Sequence, residues 1–346
     1  MPELNVRYLS DHDEQTWPED LLTGAGFTAF KSWPGFIRKV YGYKFYRVEA
    51  KEDDEVVGFL TLTEIRHPIF GNYLTTAPYA SYGGFAYRTE QVRDALLEAA
   101  RDLRKNLRVD YAVVRFDRGN ENPPAGWRQH AIYSTYLVNL KADNETIMTG
   151  FSSNHRNHVR KSQKKGLTTR FGHLELLGDT YAGLARSMHE MGSPYHSKKY
   201  LEEMGKSLGD TLEFSVVYDP SGKIVGSGVF ILQGQMVTNL HANILRRYRS
   251  IYAGEFLYWS AIEHYQKAGL KTFDLGRSLN GSGNENFKMK WHPRRLLLAY
   301  WYNLDGKELP TLNQKNPKFR IAIWTWKRLP AFVVNFLGPS LIRGLA

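Results

Sequence analysis

The sequence of 346 residues contains no cysteine. This absence excludes disulfide bridges, thiol nucleophiles, cysteine-based zinc sites and iron–sulfur clusters, and it is typical of proteins from a reducing compartment. The sequence also lacks a basic region followed by an apolar region near its start, where residues 11–14 are mostly acidic. No secretory signal is therefore predicted, and we expect a cytoplasmic protein.

Long apolar runs are missing as well, since no stretch approaches the roughly 20 residues that a membrane-spanning helix needs. We therefore expect a soluble protein or one that binds peripherally to the inner face of a membrane. The composition, with 42% hydrophobic and 23% charged residues, is that of a folded globular chain. At roughly 100–200 residues per domain, the length predicts two domains.

Acidic residues are absent from two stretches, residues 155–170 and 311–346. Each stretch contains six lysines or arginines, so that together they exceed the whole net charge of +11. An anionic partner is therefore expected to meet the protein there, and phosphate groups, tRNA and an anionic membrane are all candidates.

The two halves of the sequence follow the same order of predicted elements. Each half has antiparallel strands, a helix with an apolar stripe (residues 92–107 and 253–268) and then a short buried strand. This order is the core plan of a GNAT-type fold. We therefore predict an α/β (α+β) protein with two tandem GNAT-type domains, whose central sheets are mixed and mainly antiparallel. The predicted domains are residues 1–141 and 142–310, followed by a basic amphipathic helical tail at residues 311–346.

The first acid-free stretch predicts a short basic helix with Ser153 or Asn154 as its N-cap and Gly166 at its end. Arg156 and Arg160 lie one helical turn apart, which suits bidentate binding of phosphate oxygens. A solvated helix that connects two domains would show the same charges.

Two histidines, His155 and His158, lie within the same predicted helix. Their spacing places both rings on one helical face, where they can bind a metal ion. Because the sequence shows no third ligand beside them, we predict no metal site.

A second distinctive passage, residues 273–291, contains a strand end, a glycine-rich loop and lysines set among aromatic residues. Such a loop lets backbone approach a ligand closely, and a lysine fixed by aromatic neighbours can stabilise an oxyanion during acyl transfer. The alternative is a surface loop whose lysine stems pack on the rings. A serine hydrolase is not indicated, because the loop lacks the G-x-S-x-G spacing. Asp274 is the nearest candidate general base, although a structural role, or a base supplied by substrate or water, fits equally well.

Basic residues precede the second predicted helix, which is placed to begin near Glu255. A GNAT-type unit holds the pyrophosphate of coenzyme A on backbone amides at the N-terminus of this helix, after a basic loop that contains glycine. The equivalent loop of the first half, residues 81–85, has glycines but no arginines, so a donor site is expected in the second half. The candidate residues are Arg246, Arg247, Arg249 and Gly254.

The tail interleaves aromatic and aliphatic residues with lysine and arginine, and prolines interrupt it. This pattern is typical of a segment that lies in the plane of an anionic membrane surface. A tail that packs on its own domain would show the same pattern.

Five passages together resemble the FemAB-like family of peptidoglycan-bridge aminoacyltransferases and tandem GNAT acyltransferases, in particular its exosortase (PEP-CTERM) and exopolysaccharide-associated branch. They occur in the family's order and cover nearly the whole chain. The passages are the helix Asn154–Leu167, the strand end Phe273–Ser278, the pair Phe287-Lys288 with Trp291, the residues Ala77–Tyr79 with Tyr82–Gly84, and the ending from Arg328 to Pro339.

The resemblance implies transfer of an amino acid from aminoacyl-tRNA, or of an acyl group from coenzyme A, to an amine. The implied acceptor is a nucleotide-linked or lipid-linked sugar or muropeptide, and no permanently bound cofactor is implied. Lys288, next to Phe287, is the implied oxyanion stabiliser. Residues of the matching passages and the family's phosphate-binding positions give the substrate-binding candidates Lys31, Trp33, Tyr82, Arg156, Arg160, Arg277 and Ser278.

One feature of the family is missing, because the chain has no counterpart of the long coiled-coil arm found in the staphylococcal tRNA-dependent members. Acyl or aminoacyl transfer to a cell-envelope or polysaccharide precursor is the predicted function. The alternatives are a catalytically silent module that binds tRNA or an anionic glycan, and a scaffold at the membrane surface.

Overall fold

The computed structural model describes residues 4–9, 17–304, 306, 308 and 317–346, with residues 317–320 described by their backbone. These residues form eleven α-helices and sixteen β-strands, and none of the helices is both long and apolar enough to cross a membrane. The helices are α1 (Glu19–Ala25), α2 (Ser32–Tyr41), α3 (Glu90–Leu107), α4 (Asn144–Thr149), α5 (Ser153–Gln163), α6 (Leu177–Met191), α7 (Lys198–Leu208), α8 (Ala253–Lys267), α9 (Gly283–Met289), α10 (Pro317–Trp326) and α11 (Ala331–Ile342). The strands are β1 (Leu4–Leu9), β2 (Lys44–Glu52), β3 (Glu55–His67), β4 (Gly71–Thr75), β5 (Phe85–Tyr87), β6 (Tyr111–Phe116), β7 (Arg128–Gln129), β8 (Tyr133–Asn139), β9 (Thr168–Gly172), β10 (Leu212–Tyr218), β11 (Ile224–Gln233), β12 (Met236–Ile244), β13 (Thr272–Asp274), β14 (Ser278–Leu279), β15 (Arg294–Leu297) and β16 (Ala299–Asn303).

The first compact unit consists of the described residues within 1–134, 296–310 and 343–346. Its sheet has the strand order β1-β2-β3-β4-β6-β16-β7, and β5 pairs with β3 beside this path. All of these pairs are antiparallel except β4–β6, which is parallel. Helix α3 makes the crossover that a parallel pair requires, and its apolar stripe is buried against the sheet. The Thr89 side chain caps this helix by accepting the Val92 amide at 3.3 Å.

The second compact unit consists of the described residues within 135–295 and 311–342. Its sheet has the strand order β14-β8-β13-β12-β11-β10-β9, and β15 also pairs with β8. The pair β12–β13 is parallel, and β8–β13, β11–β12, β10–β11 and β9–β10 are antiparallel. Helix α8 makes the crossover here, and it lies in the core with Leu257, Ala261 and Tyr265 buried.

The predicted fold class is confirmed, because both units have a mixed, mainly antiparallel sheet with one parallel pair joined through a helix. The repeat is visible in the two parallel pairs, which occupy equivalent places in the two units. The first pair begins with Tyr73 opposite Tyr111, and the second begins with Met236 opposite Thr272.

Each sheet is completed by a strand from the other half of the sequence. Strand β16, which lies in the segment predicted as the second domain, pairs with β6 of the first sheet. Strand β8, which lies in the segment predicted as the first domain, pairs with β13 of the second sheet. The two units therefore meet in sequence at residues 134 and 135 instead of near 141, and residues 296–310 belong to the first unit. Hydrophobic periodicity cannot show this exchange, because it identifies a strand without identifying the strand's partner.

Candidate active site

Lys288 occupies the centre of a polar cluster in the second unit. Its residue is only 7% exposed and lies in the last turn of α9. The ammonium Nζ donates hydrogen bonds to the backbone oxygens of Gly276 at 2.7 Å and Arg277 at 2.8 Å. It also lies 5.6 Å from the centre of the Tyr136 ring. A lysine ammonium has three donors, so one N–H beyond these two bonds can serve a ligand.

The local sequence explains how the loop carbonyls reach Lys288. The chain turns directly after β13, where Gly276 has a φ of +75°, a conformation that glycine adopts without strain. A Cβ at this position would also lie 2.7 Å from the Asn239 carbonyl oxygen. Helix α9 then begins after Ser282, whose Oγ accepts the Glu285 amide at 3.2 Å. A tight turn and a capped helix thus bring the two carbonyl oxygens and the ammonium together.

Burial changes the acidity of Lys288. Removal from water disfavours the charged form and lowers the pKa of this lysine from 10.5 to about 8, while Asp274 opposes the decrease and Arg277 adds to it. At pH 7 the group is therefore still mostly an ammonium. A cation held in a site that excludes water is suited to stabilise a developing oxyanion.

Asp274 is fully buried at the end of β13. Its Oδ1 accepts hydrogen bonds from the Thr135 hydroxyl and from the Gly276 amide, the latter at 2.8 Å. Because this carboxylate is bonded to the turn that presents the carbonyl oxygens, the geometry favours a positioning role over the general-base role considered from the sequence.

Two polar residues that the sequence analysis missed also belong to this cluster. Asn239 donates from Nδ2 to the Tyr258 hydroxyl at 2.9 Å and to the Leu275 carbonyl at 3.3 Å. The Tyr136 hydroxyl donates to Glu285 Oε1 at 3.0 Å. The only sequence signal for Asn239 is its polar side chain within a largely apolar strand, and Tyr136 is indistinguishable from a core aromatic residue.

The other candidates of this passage differ in exposure. Phe287 is half-buried, its ring centre lies 5.2 Å from that of Tyr258, and a Cβ on Gly254 would lie 3.6 Å from the Phe287 ring. Ser278 is buried, and its Oγ has no hydrogen-bond partner within the described residues. Arg277 is exposed. Phe287 therefore joins the start of α8 to the helix that carries the buried lysine.

The arginines predicted to bind the donor lie in a 3-10 turn at Arg246–Ile251, directly before α8. Arg246, Arg247 and Arg249 are all exposed, and the Arg247 guanidinium lies 4.7 Å from the Tyr248 ring centre. Exposed arginines beside a helix N-terminus suit an anionic group, because the helix dipole and the charges act in the same direction.

The junction between this turn and α8 differs from the prediction in one respect. Helix α8 begins at Ala253, so that Gly254, which was expected in the loop, is its second residue. Tyr252 precedes the helix with a φ of +60°, a left-handed conformation that is uncommon for a residue with a side chain.

The predicted basic helix is α5, but its N-cap is Ser152 instead of Ser153 or Asn154. The Ser152 hydroxyl accepts the His155 amide at 3.3 Å. Serine and asparagine are both good capping residues, so the local sequence does not distinguish Ser152 from the predicted Ser153 and Asn154.

The two arginines predicted to bind phosphate on α5 have different surroundings. Arg156 donates from one guanidinium nitrogen to the carbonyl oxygens of Thr149, at 3.1 Å, and Phe151. It therefore fixes the end of α4 onto α5. Arg160 is exposed and has no hydrogen-bond or ion-pair partner in the part of the chain that the structure describes. Of the two, Arg160 is the one that can bind a ligand without losing an internal contact.

The remaining candidates lie in the first unit. Lys31 is exposed at the N-terminus of α2. Trp33 is 1% exposed, and its Nε1 donates to the Pro78 carbonyl at 3.2 Å, so it is a core residue instead of a substrate contact. Tyr82 is half-buried and packs on a small apolar cluster that includes Val113.

The tail packs on its own domain through some residues and exposes other apolar residues. Buried Val334 and Gly338 of α11 pack on the second unit, where a Cβ on Gly338 would lie 3.0 Å from the Tyr195 carbonyl oxygen. The Arg328 guanidinium lies 3.7 Å from the centre of the Trp324 ring. Five large apolar residues of α10 and α11 are nevertheless exposed: Ile321 (68%), Trp324 (58%), Phe332 (76%), Phe336 (81%) and Leu337 (40%).

Comparison with known proteins agrees with this geometry. Residues 152–289 match the family described as acetyltransferase (GNAT) domain. No curated protein matches the sequence.

Several solved structures have the same fold. FemX has a TM-score of 0.65 and 14% identity over 86% of this chain and 94% of FemX. A tandem GNAT protein from the clavulanic acid biosynthesis pathway has a TM-score of 0.58 and 13% identity over 89% of this chain and 100% of that protein. L-PGS from Bacillus licheniformis has a TM-score of 0.54 and 12% identity over 86% of this chain and 96% of that protein. At such identities the similarity concerns the fold. The chain thus has the tandem GNAT fold with an acetyltransferase (GNAT) domain at residues 152–289, which is consistent with the resemblance to the FemAB-like family.

Proposed function

We propose that this chain transfers an acyl or aminoacyl group to an amine of a phosphate-bearing cell-envelope or polysaccharide precursor. The observation that carries the proposal is the buried ammonium of Lys288, which two loop carbonyls orient and which has one further N–H. In this reaction the amine nitrogen attacks the donor carbonyl carbon, and a tetrahedral oxyanion forms. The attack forms the new C–N bond, and collapse of the intermediate breaks the C–S bond to coenzyme A, which leaves as the thiolate, or the C–O bond to the ribose of tRNA.

Lys288 is proposed to donate its third N–H to the oxyanion. Such a donor is effective because it is fixed before the reaction and does not have to reorganise. Asp274 is proposed to position the Gly276 turn, so that a movement of this carboxylate would displace the carbonyl oxygens that hold the lysine. The amine proton is assigned to water or to a group of the substrate.

The donor is proposed to bind at the N-terminus of α8, beside the exposed residues Arg246, Arg247 and Arg249. Acyl-CoA and aminoacyl-tRNA both carry phosphates in addition to the reactive carbonyl, and both fit a basic helix N-terminus. The name of the solved tandem GNAT protein mentions AcCoA, which supports testing acyl-CoA first.

The phosphates of the acceptor are proposed to bind Arg160, because it is exposed and no other described residue bonds to its side chain. Exposed Lys161 follows on the same helix, exposed Lys164 and Lys165 lie directly after it, and all three add to the positive potential. Lys31, exposed in the first unit, is a separate candidate for phosphate binding.

The exposed apolar residues of α10 and α11 are proposed to contact the inner face of a membrane. Phe332 and Phe336 protrude, and Lys327 and Arg328 lie between the two helices, as expected for a segment that binds anionic lipid. Such a contact would bring the enzyme to a lipid-linked acceptor.

The proposed function is tested by direct binding of acetyl-CoA, a longer acyl-CoA and alanyl-tRNA to the full chain at one fixed salt concentration. Free coenzyme A and uncharged tRNA are the matched controls, because a basic surface binds nucleic acid nonspecifically. Saturable acyl-CoA binding supports an N-acyltransferase, and preference for charged over uncharged tRNA supports an aminoacyltransferase. If no donor binds saturably, while uncharged tRNA or an anionic glycan does, the chain is a binding module and the proposal fails.

A further inference from the structure

Three potential metal ligands meet where α5 contacts α8 in the second unit. His155 and His158 lie on α5, and Glu255 lies in the first turn of α8. One ligand atom from each residue lies within 4.8 Å of those of the other two. The sequence showed the histidine pair, but Glu255 is about a hundred residues away and only the packing of the two helices brings it there.

Three of the four imidazole nitrogens in this cluster have no hydrogen-bond partner within the described residues. His155 is 1% exposed, and neither of its ring nitrogens has a hydrogen-bond partner within the described residues. Nδ1 of His158 is also buried without a hydrogen bond, 4.0 Å from Glu255 Oε1. Buried polar atoms without partners are rare in folded proteins, because each one has lost its bonds to water. Each neutral imidazole offers one lone pair, so these two rings beside one carboxylate indicate a ligand that accepts two nitrogen lone pairs.

The side chains are also held in orientation by their surroundings. The His158 ring stacks on Tyr252 with ring centres 4.2 Å apart and an angle of 15° between the planes. The His155 ring packs edge-to-face on Trp291 at 4.5 Å. Ligands fixed in this way lose little freedom when a metal ion binds.

We propose that His155, His158 and Glu255 bind one divalent transition-metal ion of the zinc type. Two imidazoles and one carboxylate are a common ligand set for zinc, and they leave a fourth position for water or a ligand oxygen. Zinc–ligand distances of about 2.0–2.1 Å require ligand atoms roughly 3.4 Å apart, so each atom has to move by about 1 Å at most.

Lys290 is the cation that pairs with Glu255 when no metal ion is bound. Its ammonium lies 3.9 Å from Glu255 Oε1, and its side chain is 43% exposed. This cation partly balances the buried carboxylate, and it can turn into solvent when a metal ion takes its place. Removal of Lys290 is therefore expected to strengthen metal binding.

The proposed ion would connect the basic helix to the first turn of α8. This turn follows the exposed arginines proposed for the donor, so the metal would fix α5 relative to the donor loop. The inference does not depend on the proposed function, because its test measures metal binding and not transfer.

The test uses the untagged full chain with Zn²⁺ and Co²⁺ as probes. We expect one Zn²⁺ per chain by calorimetry, and a tetrahedral Co²⁺ spectrum in the visible range that Zn²⁺ abolishes. His158→Gln and Glu255→Gln should each weaken Zn²⁺ binding at least tenfold, and Lys290→Met should strengthen it. All variants should retain the circular dichroism spectrum of the parent protein.

The matched control is His264→Gln. His264 also pairs with a glutamate, Glu213, at 3.0 Å, but the described residues place no second histidine beside that pair. Zn²⁺ binding should be unchanged in this variant. Binding below one equivalent, a Co²⁺ spectrum of octahedral type only, or equal loss in His264→Gln and His158→Gln would each overturn the proposal.

Discussion

Replacement of Lys288 by methionine tests the proposed chemistry most directly. Methionine has a similar length and fits a buried position, but it donates no hydrogen bond. Loss of one oxyanion donor costs about 10²–10³-fold in transfer rate. Two carbonyl oxygens, those of Gly276 and Arg277, also lose their partner, at a cost of roughly 1–3 kcal/mol each if they stay buried. Removal of a buried ammonium offsets part of that cost, so we expect a folded protein with a transfer rate lower by about two to three orders of magnitude.

Replacement of Lys288 by arginine separates charge from packing. Because the pKa of Lys288 is about 8, a reaction that needs its ammonium should slow as the pH rises above 8. Arginine keeps its charge throughout this range. In Lys288→Arg the rate should therefore be lower overall, because the guanidinium fits the site poorly, but the decrease above pH 8 should be absent.

Single-turnover transfer from acetyl-CoA can be followed by release of free thiol, and the chain contributes no background because it has no cysteine. Transfer from alanyl-tRNA is followed by loss of the charged form. Donor affinity is measured in parallel to separate binding from chemistry. Wild-type rates in Lys288→Met would refute the oxyanion role. A decrease above pH 8 that persists in Lys288→Arg would assign that titration to another group.

The same buried lysine makes stability depend on pH. Its pKa is lower in the folded chain (about 8) than in the unfolded chain (10.5), so the unfolded state binds more protons between these values. Stability therefore increases as the pH rises from 8 to 10.5, by roughly 3 kcal/mol in total. Denaturant unfolding at pH 7.5 and pH 10 should show this increase in the wild type and not in Lys288→Met. An equal increase in both proteins would mean that other groups cause it.

Three further predictions concern positions away from the lysine. Arg160→Ala should weaken the binding of phosphate-bearing acceptors or inorganic pyrophosphate, measured by calorimetry, without loss of stability. Arg156→Ala should lower the free energy of unfolding, measured by denaturant titration, by about 1–2 kcal/mol because two hydrogen bonds to carbonyl oxygens disappear. The reverse pattern in the two variants would contradict this assignment. Gly83→Ala should destabilise the chain by about 2–5 kcal/mol, because φ is +119° and a Cβ would lie 2.5 Å from a backbone oxygen, and unchanged thermal unfolding would refute this. Replacement of both Phe332 and Phe336 by serine should reduce the fraction of the protein that sediments with anionic vesicles. Neutral vesicles should bind little of either the parent or the variant. Equal binding of parent and variant to anionic vesicles would contradict a membrane role for the tail.

The candidate site shows which of its features can be predicted from residues that are neighbours in the sequence. The glycine-rich loop and the Phe287-Lys288 pair were recognisable because turn residues and aromatic neighbours lie close together in sequence. The turn at Gly276 and the capped start of α9 were also determined locally. The bond from Thr135 to Asp274 was not, because its partners are 139 residues apart.

The same limit applies to charge and burial. Arg156 and Arg160 are equivalent in the sequence, yet one caps the end of α4 and the other faces solvent. Trp33 lies two residues after Lys31 and was predicted to bind substrate, yet its indole is buried and bonded to Pro78. A side chain's surroundings depend on elements distant in sequence, and no local pattern records them.

The sequence by itself determined three features of this protein: the two helices with apolar stripes, the buried strands that follow them, and the repeated order that predicts two GNAT-type units. These features depend on backbone sterics and on hydrophobic period, which act over a few residues. The tertiary structure alone decided which strands complete each sheet, where β8 and β16 exchange, and it brought Glu255 to the histidines of α5. It also set the pKa of Lys288, because desolvation exists only once distant segments have closed around the ammonium.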